Sequence, residues 1–191
     1  MKTSLGAKTL LYPTPILVVG TYDENERPNV MTVAWGGVCC SKPPCVAISL
    51  RKATHTYANL MHHKAFTISI PGEDQLKAVD YFGVVSGKTV DKFAETGLTA
   101  VESGLVHAPY VGEFPLVLEC RLVNTLALGL HTQFIGEILD VKANNDIIDE
   151  HGVVLIDKLK PVSFAPESRN YHRTGDIILK GFSVREAPKL Q

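Results

Sequence analysis

Residues 16–22 begin with an unbroken apolar run, Ile16-Leu17-Val18-Val19, and predict a β-strand. Residues 30–35 predict a second. Between them, Asp23-Glu24-Asn25-Glu26-Arg27-Pro28-Asn29 is polar and turn-forming, so the pair reads as a hairpin with a long loop. Gly36-Gly37 then releases the chain into a loop that carries Cys39 and Cys40 and stops at Pro43-Pro44. Residues 45–50, apolar and partly β-branched, give a third strand. The period changes over 54–63, where Tyr57, Leu60 and Met61 fall at i, i+3 and i+4 on one helical face. Residues 65–70 alternate as a strand and stop at Pro71-Gly72. Glu73 and Asp74 suit the first turn of a helix through Val79, because carboxylates favour a helix N-terminus. Further strands are predicted at 116–126, 132–142, 153–157 and 177–182.

At least six strands joined by short helices argue against a doubly wound α/β sheet, whose parallel strands each need a long crossover. The pattern fits a mainly β (α+β) fold, a small antiparallel barrel with short peripheral helices. The 191 residues suit one domain spanning 1–191, large enough to bury a core without disulfides. Nineteen basic residues against twenty acidic ones leave a formal charge of −1, so no broad basic face is expected for nucleic acid or anionic lipid. No run is long enough for a membrane span, and the polar start does not read as a targeting signal. Four clustered cysteines do not make a disulfide framework, and a cytoplasmic location is expected.

Several nucleotide and catalytic motifs fail on spacing. There is no G-x-G-x-x-G, no H-E-x-x-H and no paired C-x-x-C. Gly83-Val84-Val85-Ser86-Gly87-Lys88-Thr89 has three residues between its glycines where a Walker loop needs four. What remains is a polar cluster at a strand-to-helix junction: Ser49, Arg51, Lys52, Thr54, His55 and Thr56. A helix N-terminus offers free N–H groups and partial positive charge, Arg51 a two-pronged contact, and the threonines hydroxyls. That set suits a phosphate. An ordinary N-cap with a solvated loop accounts for it as well. Trp35, the one tryptophan, reads as a core aromatic or as a flat wall beside a planar ligand.

The segment NVMTVAWGGVCCSKPPCVAISLRKATHT, from Asn29 to Thr56, resembles the flavin-contacting region of the flavin reductase-like family, the FMN-binding split barrels. Ser86-Gly87-Lys88 followed by Asp91-Lys92-Phe93 is similar to that family's S-G-x-x-x-D-K-F stretch, and Gly129-Leu130-His131 leading into Phe134-Ile135-Gly136-Glu137 to its G-D-H…G-E strand. Within the family, flavoredoxins and related ferric reductases are the nearest resemblance. Where the family has an acidic residue before the histidine, this chain has Leu130.

The resemblance implies a six-stranded Greek-key barrel and a homodimer with FMN near the subunit interface. It assigns the FMN phosphate to Arg51, His55, Thr56 and Lys92, with Thr54, Ser86, Gly87 and Lys88 close by. Met31, Thr32, Val33, Ala34, Trp35, Ser49 and Leu50 would line the isoalloxazine. No side chain need act as acid or base, since the flavin carries the electrons. His131 and Tyr171 are expected in the flavin or substrate pocket. Cys39 and Cys40 are small hydrophobes or, at the flavin edge, a two-thiol metal-approach site. His62, His63 and Cys120 read as structural or surface residues, and His107 gives no signal. The leading expectation is an FMN redox protein delivering electrons to a protein, metal-ion or flavin acceptor. An NAD(P)H-dependent flavin or ferric reductase and a non-redox flavin or haem module are the alternatives.

Overall fold

The computed structural model describes residues 1–183. In chain order its strands are β1 (Thr14–Pro15), β2 (Leu17–Tyr22), β3 (Pro28–Val33), β4 (Gly36–Ser41), β5 (Pro44–Arg51) and β6 (Ala65–Ile70). They continue with β7 (Ala100–Glu102), β8 (Pro109–Val111), β9 (Leu116–Leu128), β10 (His131–Ala143), β11 (Val162–Ala165) and β12 (Asn170–Arg173). Four short helices are interspersed: α1 (His55–His63), α2 (Leu76–Val84), α3 (Lys92–Thr96) and α4 (Ile156–Leu159).

The apolar run in β2 fails to alternate because both faces of the strand are covered. Leu17 and Val19 point into one cluster with Val33, Ile48, Leu50, Phe66 and Phe134. Val18 points the other way, into a second cluster with Val79, Phe82, Phe93 and Phe114. The first cluster fills the barrel. The second seals α2 and α3 against its outside, and Thr32 on β3 adds a hydroxyl donated to the Val79 carbonyl.

The main sheet is antiparallel, in the order β3-β2-β6-β9-β10-β5-β4. Its two outer strands, β3 and β4, are consecutive in the chain and separated only by Ala34 and Trp35. The ends of a seven-strand sheet can meet across two residues only if the sheet curls round on itself. One continuous segment, bent at Ala34-Trp35, therefore closes the barrel, pairing with β2 before the bend and with β5 after it. At the seam the Ser49 N–H donates to the Trp35 carbonyl at 2.9 Å. Gly36 lies so close to β5 and β2 that a Cβ there would stand 2.6 Å from Leu17 and 2.9 Å from the Ala47 carbonyl.

The split-barrel class expected from the sequence holds, with seven strands in the main sheet where six were expected. The extra strand is β4, placed where the sequence reads as a loop. Residues 153–157 are not a strand: Val154 makes one isolated bridge to Ile148, and the chain then turns into α4. Residues 177–182 form no strand either, and Ile177, Ile178, Leu179 and Phe182 are exposed without a ladder partner among the described residues. The helix expected from Glu73 starts as a single 3-10 turn (Glu73–Gln75) and becomes α2. Among the described residues, no helix is long and apolar enough to cross a membrane.

Candidate flavin site

At the end of β5 the chain makes one tight turn into α1, and the Arg51 carbonyl organises it. That oxygen accepts from the Thr54 N–H at 3.0 Å and from the Thr54 hydroxyl at 2.9 Å. The Thr54 oxygen in turn accepts the Tyr57 N–H, capping α1. Thr54 is therefore spent on the turn rather than free for a ligand. No acidic side chain of α1 itself occupies its first turn.

The facing wall is the C-terminus of α2 with residues 86–92. The Ser86 carbonyl accepts from the Thr89 and Val90 N–H groups, and the Ser86 hydroxyl accepts the Lys88 N–H at 3.3 Å. Gly87 presses against Asn29 and His55; a Cβ there would overlap the Asn29 side-chain oxygen and stand 3.1 Å from the His55 ring. Lys88 reaches across, its Nζ 3.4 Å from the Ala53 carbonyl. Asp91 caps α3 through the Phe93 and Ala94 N–H groups. Lys92 then points inward, donating to the Val30 and Phe82 carbonyls at 2.8 and 2.7 Å. Burial lowers its pKa to about 8.

Between these walls lies a cavity of about 280 Å³, lined among others by Met31, Arg51, Thr56, Ser86, Gly87 and Lys92. A second, of about 140 Å³, shares Asn29, His55 and Gly87 with it and adds Lys88 and Arg27. Among the described residues, no carboxylate lies within ion-pair distance of Arg51 or Lys88. Two carboxylates line the smaller cavity: Asp91, spent on capping α3, and Asp23, already bound by Arg27 at 2.7 Å. Burial would raise the pKa of Asp23, but the N–H groups of Arg27 and Asn25 and the guanidinium bring it below the ordinary value. Burial lowers the pKa of His55, with Asp23 opposing.

This donor set fits a dianionic phosphate ester. Among the described residues two cations have no carboxylate at ion-pair distance, a helix start lies beside them, and the Thr56 hydroxyl accepts from Asn29 at 3.1 Å while keeping its own proton to donate. The Asn29 Oδ1 is buried without a partner, a free acceptor among the residues lining both cavities. Neither cluster spacing nor periodicity singles Asn29 out, because its amide matters only once Gly87 packs on it.

The ring-lining residues separate into groups. Met31 lines the cavity, but the side chains of Val33 and Leu50 are inside the barrel core, which leaves only their backbone for a ligand. Thr32 is tied to α2, and Ala34 packs with the outer cluster. Trp35 is half exposed and lies 4.6 Å from His131, centroid to centroid, at 34°. Ser49 fixes the seam beneath it.

Tyr171 does not line this cavity. Its hydroxyl donates to Asp80 at 2.8 Å and its ring packs on Phe164, with the phenol pushed up to about 12 by burial and by Asp80. Cys39 and Cys40 are exposed on β4, the Cys40 thiol donates to the Lys42 carbonyl, and neither lines the cavity. Cys45 and Cys120 are buried.

The sequence profile of the flavin reductase like domain matches residues 9–163. The chain belongs to the flavin reductase-like family. Its backbone superposes on flavoredoxin of Desulfovibrio vulgaris (Miyazaki F) with a TM-score of 0.93 and 51% identity, covering 97% of this chain and 100% of that one. Flavoredoxin from Methanosarcina acetivorans gives a TM-score of 0.90 at 26% identity, with 96% of each chain covered. An uncharacterised protein of Archaeoglobus fulgidus is 35% identical over 133 residues, which cover 69% of this chain and 73% of that protein. Flavin reductase-like membership makes this a split barrel of the FMN-binding class with flavin-linked, oxidoreductase-type chemistry.

Proposed function

We propose that the protein holds FMN with its phosphate at the start of α1 and serves as a flavoredoxin-type electron carrier. The observation that carries this reading is the pair Arg51 and Lys88, which flank a helix N-terminus beside a cavity and, among the described residues, have no carboxylate at ion-pair distance. A flavin phosphate carries close to two negative charges and answers that requirement. Arg51, Lys88, Thr56 and the first amides of α1 bind it, while Gly87 and Ser86 let the backbone approach. Lys92, committed to two carbonyls, fastens β3 to α2 behind the site and leaves one N–H for the ligand. Met31, Trp35 and His131 take the ring end. Once bound, FMN supplies two-electron and one-electron redox chemistry. The chain's part is to orient it and to exclude water and unsuitable partners.

Leu130, exposed at the turn before His131, puts an apolar group where a carboxylate would sit in relatives that match the pattern. That favours a protein or metal-ion acceptor and a protein donor over NAD(P)H. The tip of the β9–β10 hairpin exposes Val123, Leu126, Leu128 and Leu130, a surface suited to a second copy of this chain. A cytoplasmic homodimer is the assembly proposed.

An anaerobic visible spectrum tests the function. Protein that is yellow, stays oxidised with NADH and bleaches with dithionite supports the carrier. Bleaching by NADH within the mixing time assigns a reductase instead. A haem spectrum, or no flavin uptake on adding FMN, rejects both.

A further inference from the structure

We propose that Glu26, His63 and His107 form a binding site for a divalent transition-metal ion of the zinc class. The three side chains come from separate elements: the β2–β3 turn, the last turn of α1, and the loop between β7 and β8. One ligand atom from each lies within 4.8 Å of the other two. Among the described residues, no other set of three His, Cys, Asp or Glu side chains converges in this way. Two imidazoles and one carboxylate are the donors a catalytic-type zinc site uses, with a fourth position open to water or ligand.

Each ligand is already oriented. His63 Nε2–H donates to the Asp23 carbonyl at 3.0 Å, which puts the proton on Nε2 and the lone pair on Nδ1. A metal-bound histidine characteristically makes such a bond through its other nitrogen. The His62 and Tyr22 rings pack on His63 and His107, at 4.5 and 4.9 Å. Glu26 sits in a left-handed backbone conformation, φ 62°, in a turn pinned by Asp23. The Asp23 carboxylate accepts from the Asn25 and Arg27 N–H groups, and its carbonyl accepts the Glu26 N–H.

His107 Nε2 already stands 2.6 Å from Glu26 Oε2. An ion pair between those two would explain their contact. It does not explain why a third side chain, the His63 imidazole with its tautomer fixed by a carbonyl, completes the group. Tetrahedral zinc at about 2.0–2.1 Å from each ligand holds them about 3.3 Å apart. Side chains that are exposed or half-buried can close from 4.8 Å to that spacing without disturbing the core.

The site also has a route to the flavin cavity. Asp23, which orients His63 through its carbonyl, faces His55 Nε2 with its carboxylate at 3.8 Å. His55 lines the cavity. A bound ion would clamp the β2–β3 turn and stiffen that wall. The inference does not depend on which flavin, or which acceptor, the protein uses.

The test is equilibrium dialysis of the full chain, stripped of metal, against Zn²⁺, with the visible spectrum of Co²⁺ as second readout. A Cys39→Ser/Cys40→Ser variant separates the thiols from this site. The expected result is one equivalent of Zn²⁺ retained in that double variant, with the Co²⁺ bands of nitrogen and oxygen ligands. His107→Gln, His63→Gln and Glu26→Gln should each weaken binding about tenfold or more. Glu26 and His107 are exposed, so their variants keep the fold. No Zn²⁺ binding by the wild type, or binding lost with the cysteines and unmoved by all three ligand substitutions, overturns the proposal.

Discussion

Trp35 and His131 face each other at 4.6 Å, across the point where the barrel is closed. Trp35 lies at the bend between β3 and β4, and His131 opens β10 directly opposite Arg51 on β5. One aromatic pair therefore ties the seam of the sheet to the strand end that presents Arg51, the residue proposed to bind the phosphate. Trp35→Leu should keep the fold and lower FMN affinity about two- to tenfold, the worth of one aromatic contact. Flavin fluorescence titration reads this, and quenching by the indole should disappear with it.

Gly87→Ala tests how tightly the proposed phosphate end is built. The new Cβ would overlap the Asn29 amide oxygen and crowd His55, so Asn29 must move and give up its bond to Thr56. A stability loss of about 1–3 kcal/mol is expected, with weaker FMN binding. Thermal melts with and without FMN separate the two effects.

The local part of this site was readable from the chain. Ser49, Arg51, Thr54, His55 and Thr56 are nearly consecutive, so a strand end running into a helix start already places them together. Thr54's capping role was equally visible as an alternative. Lys88 and Lys92 lie over thirty residues away, and only a family resemblance could bring them in. Glu26, His63 and His107 meet from three elements at no regular spacing, and nothing in the sequence links them. The fold shows the same division. β2 was legible from its apolar run and β6 from its alternation, whereas β4, Gly-Gly-Val-Cys-Cys-Ser, is almost wholly exposed and carries no burial contrast. Val153 to Ile156 is apolar enough to suggest a strand, but so short a run cannot distinguish a strand from the single bridge and helix start it becomes.

Lys92 sets an alkaline dependence. Its pKa is near 8 in the folded chain and 10.5 when exposed, so between those values the unfolded state holds the extra proton. Stability should rise as pH increases from about 8 to 10.5. Lys92→Met should abolish that slope and, by leaving the Val30 and Phe82 carbonyls unpaired, cost about 2 kcal/mol. Urea unfolding across this range checks both.

Glu119 governs the acid side. It is fully buried, with Lys142 Nζ at 2.5 Å and the Gly104 N–H at 3.1 Å. Burial alone would raise its pKa, but Lys142, Ser103 and Gly104 together bring it below the ordinary carboxylate value. The stability it contributes is complete above that ordinary value and is lost as pH falls through the lower, folded one. Lys142→Met leaves a buried charge unpaired and should destabilise the protein by about 3 kcal/mol at pH 7. The same variant should be less sensitive to acid than the wild type.

The phosphate is the group that Arg51 and Lys88 are proposed to bind. Titrating the flavin-free protein with FMN and with riboflavin compares ligands that differ only in that group. The expected result is FMN binding about a hundredfold tighter than riboflavin, with Arg51→Ala removing most of the difference at the cost of one charge-assisted contact. Equal affinity for the two ligands, or a preference untouched by Arg51→Ala and Lys88→Ala, would contradict the assignment of this cavity to the FMN phosphate.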